Sequence, residues 1–425
     1  MDANKSRKLS LMLVLFIQVL AATLPGCFLG ASQQLPIKKP EVQTMASHGH
    51  GFGSSLYFPV TGNVYPDGYF AVSFSIGNPQ KPFPLDIDTG SDLAWVQCDA
   101  PCTGCTGCTV PPDQLYKPAQ GSFVLCEDPL CPVIQSLGET TCKGPYEQCH
   151  FHRSYADGSS VRGVLVRDNF YLGIINGTPF QPSLTFGCAS DIQHGRHGPP
   201  PTTGLLGLGK TAANIFSQLR VENVIGHCYS AKGGGFMFIR NDPVSSSKVS
   251  WVPMSQNTLA KHYASGPADL LFGGAPTSIK GLHVIFDSGT TFTYFNSAVY
   301  EAILNLLSKD LNGKQIRQVQ DPDLPVCWND GKPFRVLSDV KSYFKPFTLG
   351  FTRTRNAQLQ LTLENYLIIS EHGNACLGIL DGTKERMGNI NVIGDISMLD
   401  KLVIYDKEGK QIGWSSANCS RIPKS

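Results

Sequence analysis

The sequence predicts a mostly β protein built from two duplicated lobes, and three observations carry that expectation. Charged residues are only 16% of the 425, while Gly (43) and Pro (29) are plentiful, a composition that suits short strands joined by many turns. Several short runs alternate apolar and polar residues, the period of a half-buried strand. One such run ends in Asp-Thr-Gly-Ser at 88–91, and a second ends in Asp-Ser-Gly-Thr at 287–290. The length suits two lobes of roughly 180 residues each. Hydrophobic residues at 41% supply a sizeable core and exclude a largely disordered chain. The formal net charge of +2 excludes attachment dominated by charge, so neither nucleic acid nor an acidic membrane surface is an expected partner.

Taken from the N-terminus, Lys5, Arg7 and Lys8 precede an apolar run from Leu9 to Leu24 that Pro25 and Gly26 end. A basic flank and an apolar run of about 15 residues read as a secretory signal peptide, assigned to 1–31. The run is short of the ~20 residues that span a bilayer, and the chain has no second one of spanning length, so no membrane anchor is expected in the mature form. Residues 32–63, with Gln33, Gln34, Lys38, Lys39 and the His48 to Gly53 stretch, read as a short pro-segment or flexible extension. Two lobes follow, 64–244 and 245–425, divided in the polar stretch 242–248.

In the first lobe, Phe70, Val72, Phe74 and Ile76 alternate with Tyr69, Ala71, Ser73 and Ser75, predicting a strand that the turn Gly77-Asn78-Pro79 ends. A second strand, with Phe83, Leu85 and Ile87, runs into Asp88. In the second lobe Leu282, Val284 and Phe286 lead into Asp287 with the same spacing. Leu205-Leu206-Gly207 and Val392-Ile393-Gly394 form another matched pair: two apolar residues and then a Gly, fitting a buried strand closely approached by another backbone. This is duplication at the scale of a lobe. Helices are few. Ala298 to Leu311 carries Val299, Ile303, Leu306, Leu307 and Leu311 at helical spacing, with Asn296 or Ser297 as cap and Gly313 as stop. Ala212 to Leu219 is a shorter candidate.

Fourteen cysteines are present, with Cys98, Cys102, Cys105 and Cys108 clustered and Cys126, Cys131, Cys142 and Cys149 following. In a reducing compartment such spacing would suggest metal ligation; behind a secretion signal it reads as a disulfide-stapled insertion, and no metal is expected. Setting aside Cys27 in or beside the leader leaves an odd number, so at least one thiol is expected free or paired outside the mature chain. Cys327 and Cys376 are the only cysteines of the second lobe before the tail and are the expected pair there. The sequons at Asn176 and Asn418 are glycosylation candidates.

The chemistry resides in the duplicated Asp turns. A D-[TS]-G-[ST] turn at a strand end exposes a carboxylate, the Gly permits the bend, and the hydroxyls supply hydrogen bonds. A lone copy is a turn capped by its own Asp. Two copies on duplicated lobes can bring Asp88 and Asp287 together. Two carboxyls about 3 Å apart share one proton, so one can serve as general base on water and the other as general acid. Such a site hydrolyses amides without metal, cofactor or covalent intermediate. A competing motif, Gly204 to Thr211, matches the phosphate-binding loop G-x-x-x-x-G-K-[ST]. The Gly198-Pro199-Pro200-Pro201 stretch ahead of it cannot form the central strand that such a loop needs, and Lys210 is expected to point to solvent.

With DIDTGSDLAWVQC (86–98), SYADGSS (154–160), LLGLG (205–209), FDSGTTFTYF (286–295), VIGDI (392–396) and GWSSANC (413–419), the sequence resembles the pepsin-type aspartic proteases, and more closely their plant nucellin-like and nepenthesin-like branch, over about Tyr65 to Cys419. The resemblance implies a bilobal β fold with a cleft between the lobes, a secreted monomeric endopeptidase, extracellular or vacuolar, and peptide or protein substrates. It makes Asp88 and Asp287 the catalytic dyad. Thr89 and Ser288 would brace the two loops crosswise, Gly90 and Gly289 give them their turns, and Ser91 and Thr290 hydrogen-bond the outer carboxylate oxygens. Tyr155, Asp157 and Gly158 would form a hairpin flap over substrate, with the Tyr155 hydroxyl near the Trp95 indole. Asp157 stands where relatives often carry Thr, and Ser288 keeps the hydroxyl of Thr without its methyl. The wider family also contains non-catalytic protein-binding and inhibitor members; an intact dyad with Tyr155 favours the enzyme.

Overall fold

The computed structural model describes residues 56–99, 104–138, 140–175, 178–196, 202–219, 224–240, 248–256, 259 and 261–422. The expected signal peptide, most of the extension, Cys102, the Asn176 sequon and nearly all of the expected lobe boundary lie outside the described residues.

The alternation in the sequence becomes sheet. Along Lys81–Asp88 the side chains of Phe83, Leu85 and Ile87 are buried in the core, while Pro84 and Asp86 on the other face are only half-buried. This strand pairs antiparallel with Tyr69–Ile76 and parallel with Gly204–Gly207, which in turn lies against Trp95–Gln97. The second half repeats the device. Leu282–Phe286 pairs parallel with Asn391–Ile393, which lies against Thr293–Phe295. The two Asp turns therefore leave equivalent strands of two sheets, one of 13 strands and one of 8 among the described residues. The larger sheet is not confined to the first half of the chain. Val224–Tyr229 pairs with Lys401–Asp406, and Gln411–Ser416 and Ser250–Pro253 extend the edge beyond it. One apolar core gathers around Phe70, Phe74, Ile87 and Phe186, and a second around Phe286, Phe347, Leu349 and Trp414.

The expectation for 32–63 is a short pro-segment or flexible extension; its last part, Leu56–Asn63, is a strand rather than a flexible segment, paired with both Tyr69–Ile76 and Gly235–Arg240. Phe58 and Val60 alternate into the core, and their burial holds the segment in place. The long helix forms over Ser297–Leu311, with the Asn296 side chain accepting the Val299 amide and Tyr300, Ile303, Leu307 and Leu311 buried. Gly313, at φ +81°, takes the left-handed conformation that ends it. The shorter candidate is a 3₁₀ turn over Ile215–Leu219.

The cysteines pair as Cys98–Cys188, Cys105–Cys108, Cys126–Cys142, Cys131–Cys149, Cys228–Cys419 and Cys327–Cys376, and none is free among the described residues. The expected odd thiol has no counterpart there; Cys27 and Cys102 lie outside. Asn418 is exposed, and its neighbour Cys419 is in a disulfide.

Candidate active site

The two Asp turns meet through a crosswise set of hydrogen bonds. The Thr89 amide donates to Ser288 Oγ (3.1 Å) and the Ser288 amide to Thr89 Oγ1 (3.0 Å). Each hydroxyl then donates across to the strand of the other loop, Thr89 Oγ1 to the Phe286 carbonyl (3.2 Å) and Ser288 Oγ to the Ile87 carbonyl (2.8 Å). Both residues are 1% exposed, so these four bonds are shielded from water and fix the loops to each other. The missing Thr methyl at 288 leaves this arrangement intact.

Above this brace sit the carboxyls. Asp88 Oδ1 accepts the amides of Gly90 (2.7 Å) and Ser91 (3.2 Å), and its Oδ2 accepts the Ser91 hydroxyl. Asp287 mirrors it, with Oδ1 taking the Gly289 amide (3.0 Å) and Oδ2 the Thr290 hydroxyl (3.0 Å). The glycines bring the carboxyls together. A Cβ on Gly90 would lie 2.5 Å from Asp287 Oδ2, and a Cβ on Gly289 would collide with Asp88 Oδ1. Each loop therefore packs its bare backbone against the other loop's carboxyl. Burial, and then the charge of Asp287, push the Asp88 carboxyl up to about 7, against the opposing pull of the Ser91 hydroxyl and the Gly90 and Ser91 amides.

Tyr155 lies at the tip of the hairpin formed by His150–Ser154 and Ser160–Tyr171. Its hydroxyl accepts the Trp95 indole N–H at 2.7 Å, the contact expected from the resemblance. The tip is a tight turn in which the Gly158 amide donates to the Tyr155 carbonyl (3.1 Å), with Gly158 at φ +88°. Asp157 Oδ1 accepts the amide (2.9 Å) and hydroxyl (2.6 Å) of Ser159, so this acid braces the turn from within. Burial and then the charge of Asp88 raise the Tyr155 phenol, which puts the flap tyrosine within electrostatic reach of Asp88.

The phosphate-loop motif is used differently. Gly204–Gly207 is a strand inside the sheet. The amides that follow are already engaged: Leu208 to the Asp88 carbonyl (2.7 Å), Gly209 to the Ser91 carbonyl (2.7 Å) and Thr211 to Asp92 Oδ1 (2.8 Å). The segment clamps the first Asp loop and leaves these amides no room for phosphate. Lys210 is half-buried rather than directed fully to solvent.

Sequence reasoning did not single out the polar layer beneath the loops. Asp395, in the quoted VIGDI segment, is 2% exposed, and its Oδ1 has no hydrogen-bond partner. Burial, then the charges of Asp86, Asp287 and Asp88, hold its carboxyl well above the usual range. His227, 1% exposed, stacks on Tyr229 and shares a 3.1 Å hydrogen bond with the Tyr405 hydroxyl. Burial pushes its imidazole down to about 3. An unfolded His binds its proton near 6.5, so the folded state loses stability as pH falls from about 6.5 towards 3. At about 1.4 kcal/mol per unit, this amounts to about 3 kcal/mol between pH 6.5 and 4. The buried Asp88 and Asp395 act oppositely: stability they hold below about pH 4 is lost as pH rises through their raised values. His227→Gln is expected to lessen the fall in Tm between pH 6.5 and 4 relative to the parent. Parallel Tm-against-pH curves for parent and variant would contradict this.

Two β lobes whose equivalent turns present facing carboxyls beneath a tyrosine-tipped hairpin define an aspartic-type peptidase. Family models described as xylanase inhibitor N-terminal and xylanase inhibitor C-terminal match residues 70–239 and 274–416. An aspartic proteinase of Oryza sativa subsp. japonica is 41% identical over 388 residues, covering 88% of this chain and 93% of its own. Aspartic proteinase nepenthesin-1 of Nepenthes gracilis is 26% identical, covering 83% and 78%. Among solved structures, the aspartic proteinase of Irpex lacteus superposes with a TM-score of 0.58 at 13% identity, over 86% of this chain and 98% of that one. The structure titled edgp gives 0.65 at 16% identity, over 87% and 96%. The chain belongs to the plant pepsin-type aspartic proteinase family, and it is a protease.

Proposed function

We propose that this protein is a secreted aspartic endopeptidase in which Asp88 and Asp287 activate a water between them. The crosswise set of Thr89 and Ser288 hydrogen bonds carries the reading, because it fixes the two carboxyls in mirrored positions. The pair holds one proton. The ionised carboxyl draws a proton from water as it attacks the scissile carbonyl, and the protonated one hands its proton to the developing oxyanion; the amine departs as the proton is returned. Peptide lies extended across the cleft, and the Tyr155 hairpin closes over it and excludes water. The complete set of groups around both carboxyls weighs against a purely binding role.

Secretion into the apoplast or vacuole is supported by the basic-flanked apolar leader in the sequence and by the six disulfides among the described residues, bonds that persist in oxidising compartments. Among the described residues, no helix is long and apolar enough to cross a membrane. The proposed working form is a soluble monomer.

The test is digestion of a denatured protein by the purified mature chain in acid, with and without a statine-type peptide. Cleavage abolished by that peptide is expected; cleavage indifferent to it would contradict the proposal. Within the same assay, Tyr155→Phe removes the acceptor of the Trp95 hydrogen bond and Tyr155→Ala removes the lid's anchor. The Ala variant is expected to lose about 10- to 100-fold in kcat/KM through both kcat and KM, and the Phe variant less. Equal loss in both would assign the effect to the hydroxyl alone.

A further inference from the structure

The strand that delivers Asp88 carries a second acid, Asp86, that the mechanism above does not use. Alternation places the two on one face, about 7 Å apart along the strand, opposite the buried Phe83, Leu85 and Ile87. Asp86 is half-buried, whereas Asp88 is buried. In register on either side of it are Ala71 and Leu205. Leu205 packs on the cluster that holds Trp95 and Tyr155, which ties this face to the floor beneath the flap. A carboxyl on that face stands one side-chain spacing from a reacting group.

We propose that Asp86 is a specificity-determining residue that selects a cationic side chain, lysine or arginine, adjoining the scissile bond. The proposal rests on the peptidase reading of the cleft and names what that cleft prefers. The groups acting on Asp86 are Asp88 on its own strand, Tyr69 on the neighbouring strand, Asp287 on the opposing loop, Asp395 and Tyr229. All are acids. Burial, and then the charge of Asp88, hold the Asp86 carboxyl well above the usual range, while the Ile87 and Phe70 amides pull the other way. The free cleft therefore holds Asp86 neutral in acid. A cationic side chain set against it favours the ionised form, so binding releases a proton, and the preference for the cation grows as pH rises.

The experiment measures binding, which does not depend on turnover. Two statine-type peptides are compared, identical except that a side chain on or next to the statine unit is butyl in one and aminobutyl in the other. Their Kd values for the mature protein are measured by calorimetry at pH 4 and pH 6. The parent is expected to favour the aminobutyl peptide by about tenfold at pH 6, the scale of one charged hydrogen bond, and by less at pH 4. Asp86→Asn, which keeps the shape, is expected to bind both peptides alike at both pH values, and Asp86→Leu to favour butyl. A parent without preference at pH 6, or a preference that survives in Asp86→Asn, would overturn the assignment. The parent measurement stands even if a variant does not fold. Digestion of denatured protein, run in parallel, separates the two readings. Turnover without the preference contradicts the role of Asp86 alone, the preference without turnover contradicts the mechanism alone, and no binding of either peptide overturns both.

Discussion

Asp88→Asn and Asp287→Asn are each expected to reduce kcat on a peptide substrate by about 10⁴-fold or more, with little change in fold. The size follows from the roles: acid and base act in one step, and neither completes it alone, so each loss costs most of the catalysis. Asn keeps the shape of the carboxyl and can still accept the Gly90 or Gly289 amide at one oxygen. The braces at Thr89 and Ser288 do not involve the substituted groups. Retained Tm with lost turnover is therefore the expected pairing, read by thermal denaturation beside a peptide assay. Substantial turnover in either variant would remove that Asp from the chemistry.

Gly90→Ala is expected to cost about 10²-fold in kcat/KM while leaving the sheets folded. The new methyl would stand 2.5 Å from Asp287 Oδ2, about 1 Å inside contact distance. The carboxyl it meets is held by the Gly289 amide and the Thr290 hydroxyl, so relief comes by displacing Asp287 or parting the loops. A displacement near 1 Å of a reacting group is worth about two orders of magnitude in rate. Gly289→Ala presses on Asp88 in the same way and is expected to behave alike. Kinetics of both Ala variants, set beside their Tm values, check this. A variant with parental kcat/KM would show that the loops do not hold the carboxyls at this spacing.

The site was legible because its parts are local. Each Asp, its Gly and its hydroxyl partner lie within four residues, at the end of a strand whose alternation is plain. The long helix announced its cap at Asn296 and its stop at Gly313 in the same way. The pairing of Cys327 with Cys376 followed from the scarcity of partners in that lobe. Features set by distant pairing were not legible. Leu56–Asn63 follows a Gly- and His-containing stretch and is held by Gly235–Arg240 far along the chain. Nothing local in Lys401–Asp406 tells that it pairs with Val224–Tyr229. His227 and Asp395 gain their meaning only from burial. Asp86 was not singled out: the period of two puts it on the face of Asp88, but its neighbours were needed to make that placement informative.

The central claim is that Asp88 and Asp287 work as one titrating unit carrying one proton. The measurement that tests it most directly is kcat/KM of the mature parent protein on a single peptide from strongly acidic to neutral pH. The account predicts a bell with two apparent pKa values belonging to the pair, its maximum on the order of pH 3 to 5 as in other aspartic dyads. The alkaline limb should fall as the pair, with its raised Asp88 carboxyl, gives up the shared proton. A rate that stays level or rises through neutrality would contradict it.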